Sequence, residues 1–289
     1  MHKDGDSETL HGGHGSRRHC LRSVAGAALT GLASFTTITT GLMATPAHAQ
    51  AARQAARRYA VVSLIGDRLV VVYAGRVTGT NMDANRRRVI VDEQGAMDRF
   101  ALVDVGQALD LTNSTNSTDR TDRTAAALLA FAPSPLHEQA DRLFDGKNVA
   151  LPGSLVDAVE QSRATHLVLL TKHRADASIP MVDSRLGVGK LNGLGYYIDA
   201  NANIRMIESG ATGRGLLAPY VYVKLSLADA RSGALLNQRH CTAARAYAVA
   251  ESETALDPWE VLTASDKVSR LRGLLQSELA REVPLLVAA

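Results

Sequence analysis

The sequence predicts an α/β protein of the α+β kind: a single mixed β-sheet flanked by helices, with a Gly-rich projecting hairpin and C-terminal helices. Three observations lead there. Strand-like and helix-like periodicities follow one another along the chain from Tyr59 onward. The run Thr165-His166-Leu167-Val168-Leu169-Leu170-Thr171 is apolar almost throughout, as a central strand covered on both faces must be. Tyr220 to Asp229 instead alternates, with Val221, Val223, Leu225 and Leu227 on one side and Tyr222, Lys224 and Ser226 on the other. At 289 residues, 46% hydrophobic and 21% charged, the chain has the composition of a core-forming protein. It has neither the cysteine content of a disulfide scaffold nor the charge bias of a disordered chain.

The first 49 residues read as an address. Ser16-Arg17-Arg18-His19-Cys20-Leu21-Arg22 is followed by an uncharged stretch from Ser23 to Ala49, diluted by Thr30, Thr36, Thr37, Thr39 and Thr40. Small residues at Ala47 and Ala49 form an A-x-A cleavage site, with Ala49 the last residue removed. The segment resembles the twin-arginine export signal, departing from its pattern at Cys20 and Arg22. The resemblance implies recognition by the export machinery and a periplasmic product; an uncut segment would instead hold the chain at the inner membrane. The expected division is 1–49 cleavable signal, 50–58 flexible leader and 59–289 a single α/β domain. Removing the signal takes four bases and three acids, leaving 28 and 26, a net of +2. The basic excess is then too small to argue for a nucleic-acid partner. Only Cys241 remains of the two cysteines, so no disulfide forms within the mature chain.

Tyr59 to Tyr73 reads as a β-hairpin, with Gly66-Asp67 as a type II′ turn between Ala60–Ile65 and Leu69–Val72. Arg88-Val89-Ile90-Val91 is a short third strand. Met97, Phe100, Ala101, Val105, Ala108 and Leu109 recur at helical spacing. Leu111 to Thr124, with Asn-Ser-Thr and Asp-Arg-Thr each repeated, reads as an exposed polar loop. Ala125 to Asp145 reads as helical pieces broken at Pro133 and Pro135. A helix capped by Ser154 runs to Arg163 and feeds the buried strand.

Residues 187–215 hold 7 of the 23 glycines. Two strand candidates inside, Leu194–Asp199 and Asn203–Glu208, are separated by Ala200-Asn201-Ala202 and suggest a projecting hairpin. After Asp229–Gly233 turns the chain, Ala234 to Thr242 returns as a strand. Asp257-Pro258-Trp259-Glu260 and Thr263 with Asp266 carry the cap logic of two consecutive helices. Ala264, Val268, Leu271, Leu275 and Leu279 form a docking stripe in the second, which Pro284 ends.

Catalytic motifs are missing from this pattern. There is no Gly-x-Ser-x-Gly, no Cys-x-x-Cys and no His-Glu-x-x-His; His137-Glu138 fails the zinc pattern at Asp141. Gly187-Val188-Gly189-Lys190 lacks the preceding Gly and the following Ser or Thr of a phosphate loop. Asp199-Ala200-Asn201-Ala202-Asn203 lacks the Gly and closing Glu of a calcium loop. The reading therefore expects no catalytic residues, no metal site and no cofactor. The ligand-binding candidates are Lys172, His173 and Arg174, at the carboxyl end of the buried strand, joined by Lys190 and Arg214 to hold an anion. A solvated loop is the competing account of this charge run.

Over about residues 150–283, a helix feeds a buried strand and long strands meet at Leu227-Ala228-Asp229-Ala230-Arg231-Ser232-Gly233. In this the chain resembles the curli-secretion and penicillin-binding-protein-activator lipoproteins, and more broadly uncharacterised exported proteins of the Gram-negative envelope. It lacks the lipid-bearing cysteine of the former, and no functional residue carries over. The expected role is a non-enzymatic binding or assembly module with an envelope protein as partner, acting through a sheet edge or the glycine-rich hairpin. Two alternatives stay open. One is an exported hydrolase using His173 and nearby acids. The other is an oligomeric envelope or secretion component whose hairpin pairs between subunits or meets the membrane.

Overall fold

The computed structural model describes residues 57–75, 84–116, 126–130, 134–181, 183–205, 212–248 and 257–288. All fall within one compact unit, Ala49–Ala289. The segment expected as a signal and most of the expected leader lie outside the described residues. The chain runs through β1 (Tyr59–Leu64), β2 (Arg68–Tyr73), β3 (Arg86–Val91), α1 (Ala96–Asn116), β4 (Ala126–Leu129), α2 (Pro135–Glu138), a 3-10 turn (Ala140–Leu143), β5 (Phe144–Asp145), β6 (Asn148–Val149) and α3 (Gly153–Gln161). It continues through β7 (His166–Lys172), β8 (Arg174–Asp176), β9 (Ile179–Pro180), β10 (Arg185–Leu186), β11 (Lys190–Arg205), β12 (Thr212–Asp229), β13 (Leu235–Ala244), β14 (Tyr247–Ala248), a second 3-10 turn (Pro258–Val261) and α4 (Ala264–Val287). This is the mixed α/β architecture predicted, with one large sheet flanked by helices.

The sheet is two half-sheets laid end to end along β12. One edge of β12 pairs antiparallel with β11 as far as Tyr222 and with β7 from Val223 onward. The other edge carries β14 and then β13. Beyond β7 lie β1 and then β4, both parallel to it; beyond β11 lie parallel β2 and antiparallel β3. β1 and β2 therefore run in the same direction and belong to different half-sheets. The expected Tyr59–Tyr73 hairpin is corrected: Gly66-Asp67 is a bend in a through-running strand, not a reversal.

Other elements shift for local reasons. Ala126–Leu129 is a parallel edge strand on β1, where helical pieces were expected. α1 continues to Asn116, into the stretch expected to be a loop. α3 is capped at Pro152, with Ser154 inside the helix. The two strand candidates of the glycine-rich segment are one strand, β11, whose pairing with β12 shifts register between Asp199 and Asn203. The hairpin is thus β11–β12, rooted at the centre of the sheet. Pro284 sits within α4, whose backbone continues to Val287.

One face of the sheet is covered by α1 and α4. Met97, Ala101, Val105 and Leu109 from α1 and Leu271, Leu275, Leu279, Val283 and Leu286 from α4 pack on Val61, Val71, Val168, Leu194, Val221, Val223 and Leu225. Each fully buried Leu or Val contributes about 1.5–3 kcal/mol of transfer free energy. The opposite face is covered in two separate pieces. α3, the first 3-10 turn and Val149 cover Ala60, Val62, Leu64, Leu167 and Leu169 of one half. Ile179 and Leu191, with Ala175, Ala177 and Met181, cover Val72, Tyr197, Tyr220 and Tyr222 of the other. Buried phenols tie this second cover down: Tyr222 Oη donates to Asp176 O (3.1 Å) and accepts from Ser178 N (3.0 Å), and Tyr197 Oη accepts from Val188 N (3.1 Å). Among the described residues, no helix is long and apolar enough to cross a membrane.

Candidate functional site: the break in the sheet and its open edge

His173 is the joint between the half-sheets. Its N–H donates to Tyr222 O (2.9 Å), and its carbonyl accepts from Gly193 N (3.4 Å). Beside it, the β1–β2 strand bends at residues 65–67, and the first turn of α1 presses into the bend. Only glycine permits this approach, since a Cβ on Gly66 would lie 2.4 Å from Asp98 N. Asp98 fills the gap: its Oδ1 accepts from Ser63 Oγ (2.5 Å) and Ile65 N (3.0 Å). Its Oδ2 lies 3.0 Å from His137 Nε2. Ser134 N donates to His137 Nδ1 (3.2 Å), so the ring proton is on Nε2 and is given to Asp98. Ser63, Asp98 and His137 are 1%, 2% and 1% exposed. The serine hydroxyl donates to the acid, not to the imidazole, so this buried set pins a bend and is not arranged as a nucleophile and base.

On the outer side of the bend, buried Asp67 lies between Arg68 Nε (2.8 Å) and the Lys172 ammonium. Arg68 also pairs with Glu138, whose side chain is 58% exposed. Arg68, Glu138 and Lys172, with Val70, His137, Ala140, Asp141 and Asn192, line an open cleft of about 260 Å³ between the two covers of this face. Asp141 at the rim pairs with Lys224 Nζ (3.6 Å), which lies 3.7 Å from the Phe144 ring centroid. The bond to Glu138 raises the Arg68 pKa above its ordinary value; burial opposes this and the bond to Asp67 adds to it. The charges of the cleft therefore answer one another, forming a clasp across the bend.

The expected ligand-binding residues are distributed around this joint. Lys172 lines the cleft and holds Asp67. His173 stacks on His240, with ring centroids 4.3 Å apart and planes inclined by 2°. Burial lowers both imidazole pKa values, and the Lys224 charge lowers them further. Arg174 is exposed on β8 opposite Asn192. Lys190 pairs with Asp176 (2.7 Å) at the other end of β8. Arg214 belongs to β12 opposite Asn203, and its side chain lies outside what is described. Asp67, Arg68 and Glu138 were missed as members of the site because Asp67 read as a turn residue, Arg68 as the link from that turn to the next strand, and Glu138 as part of a failed zinc motif. No group of three or more His, Cys, Asp or Glu able to hold a metal occurs among the described residues.

A second surface lies next to the cleft. β3 pairs with β2 and, among the described residues, with nothing on its other side. Arg86, Arg87, Arg88, Val89 and Val91 are exposed, and Ile90 is half-buried. The register sets Val91 beside Arg68 and Val89 beside Val70, so two exposed valines continue the wall of the cleft to the sheet edge. Arg86 lies over the Tyr73 ring at 5.7 Å, and Arg87 Nη2 donates to Lys190 O (3.2 Å).

These features define an α/β protein with a broken mixed sheet, a charge-clasped cleft and an edge strand that no described residue pairs on its outer side. No family model and no curated protein matches the chain. Among solved structures it is similar to a PelC dodecamer from Paraburkholderia phytofirmans, at 11% identity and a TM-score of 0.29, covering 79% of this chain and 86% of that one. It is similar to the hypothetical protein CT253 from Chlamydia trachomatis, at 12% identity and a TM-score of 0.31, covering 81% and 100%. It is also similar to protein XCC0632 from Xanthomonas campestris, of family model DUF330, at 12% identity and a TM-score of 0.22, covering 81% and 85%.

Proposed function

We propose that the chain is an exported, non-enzymatic binding or assembly module of the cell envelope that receives an extended segment of a partner protein at β3. The observation that carries this reading is the β3 edge: a six-residue terminal strand, exposed at five positions and unpaired on its outer side among the described residues. Such an edge presents backbone donors and acceptors in strand register, which is what an added strand requires. The ordered charge, apolar and small-residue regions of 16–49 support export to the periplasm, with retention at the inner membrane as the alternative if they are not cut.

The cleft is the weaker choice because Arg68, Lys172 and Asp141 already have counter-charges within the molecule. The hydrolase alternative needs a carboxylate bonded to His173, whose ring stacks on His240 while Asp141 acts on it through its charge alone. A photo-reactive residue at position 89 or 91, introduced in cells, tests the proposal. It is expected to give a discrete envelope-protein adduct that the same residue at exposed Val103 on α1 does not give. Equal labelling from position 103, or catalytic turnover by the purified protein that survives blocking β3, would overturn it.

A further inference from the structure

We infer that the segment received at β3 is acidic, a strand in which consecutive carboxylates follow an apolar alternation. The inference rests on the strand-addition reading above and adds the chemistry of the partner.

Register with β2 assigns the faces. Arg86 and Arg88 lie opposite Tyr73 and Val71, on the helix-covered side; Arg87, Val89 and Val91 lie opposite Val72, Val70 and Arg68, on the cleft side. Three adjacent guanidinium groups thus alternate across the sheet at one end of the edge, while the other end is apolar. Arg86 and Arg88 are in no ion pair with a described residue. Arg86 is placed over the Tyr73 ring, and Arg88 also bears on Tyr73. Asp257 and Glu260 are near enough to act on the Tyr73 hydroxyl, but they pair with neither arginine.

Directly opposed side chains of neighbouring strands are the units that select a strand partner, and opposite charges there are favourable. An antiparallel segment would place its apolar residues against Val91 and Val89 and its carboxylates against Arg88, Arg87 and Arg86. A second copy of this chain fits less well, because antiparallel pairing of β3 with itself sets each arginine triplet against the other strand's apolar end and supplies no counter-charge. The arginines thus favour an acidic guest over a second copy.

The test uses the purified protein and two labelled peptides, one with the core Val-Thr-Val-Glu-Glu-Glu and one with Gln replacing each Glu. Binding is read by fluorescence anisotropy at low and high salt, and its location by amide hydrogen exchange. The acidic peptide is expected to protect β3 amides and to bind about tenfold more tightly than the Gln peptide at low salt. The preference should shrink at high salt, collapse in Arg86→Gln/Arg88→Gln and persist in Arg86→Lys/Arg88→Lys. If both peptides protect β3 equally, strand addition stands and the acidic partner is refuted. If neither protects β3, both readings fail. A dimer in light scattering that Arg86→Glu/Arg88→Glu disrupts would make a second copy the occupant and overturn the inference.

Discussion

Replacing Asp98 with Ala leaves the Ser63 hydroxyl, the Ile65 N–H and the His137 Nε2–H facing one another with no acceptor. The expected loss is about 3–5 kcal/mol, since buried donors to a charged acceptor lose both the bond and their solvation. Ser63→Ala removes one donor only and should cost about 1–2 kcal/mol. Urea midpoints would show the order, and a Ser63→Ala loss equal to that of Asp98→Ala would contradict it.

The stacked histidines give a second prediction. Burial lowers both pKa values below the ordinary 6.5, and Lys224 adds to this at each ring; at His173 the charge of His240 also lowers it and Asp141 opposes. The folded state thus binds fewer protons than the unfolded chain once the pH falls below about 6.5. The pair's contribution is intact above that pH and declines as the pH falls through the folded pKa values. His240→Asn should therefore flatten the fall in Tm between pH 7.5 and pH 5. An unchanged slope would refute the assignment. None of this was legible in the sequence, where Ser63, Asp98 and His137 are far apart and His173 and His240 sit on different strands. Lys172 was legible because a base at the carboxyl end of a buried strand can be placed without knowing its partner.

At the scale of elements, periodicity located β7, β12, α1 and α4, because each buries a continuous face and carries that pattern locally. It misassigned β1–β2 for an identifiable reason. Gly66-Asp67 has the composition of a two-residue turn, and the groups that hold it open come from α1 and α2. Glycine in β11 has a similar long-range cause. Gly195 pairs with Val70, and Tyr220 Oη donates to Val70 O (3.1 Å) across the same spot. A Cβ at 195 would lie 1.9 Å from Val70 O and 2.8 Å from Tyr220 Oη. Gly195→Ala should part β2 from β11, costing about 3 kcal/mol or more, at the upper end of overpacking effects. Thermal denaturation would read the loss, and wild-type stability would show that the strands yield without cost.

For the whole molecule, the proposed export and the folding make separate demands on the chain. Residues 1–49 are expected to be absent from the functional form, so intact mass and N-terminal sequencing of protein taken from the periplasm should begin at Gln50. A product beginning at Met1 would favour the membrane-held alternative. Cys241 would suit the oxidising destination proposed: it is fully buried, and burial pushes its thiol up to about 12. It should resist thiol reagents until the protein unfolds.

The 18-residue strand β12 has one further consequence. Because β11 and β7 divide one of its edges and β14 and β13 the other, each half-sheet loses its inner neighbour if β12 leaves. The bend at residues 65–67 therefore marks a break in geometry without being a seam in cooperativity. Calorimetry should record one transition, because neither half can melt while the other persists.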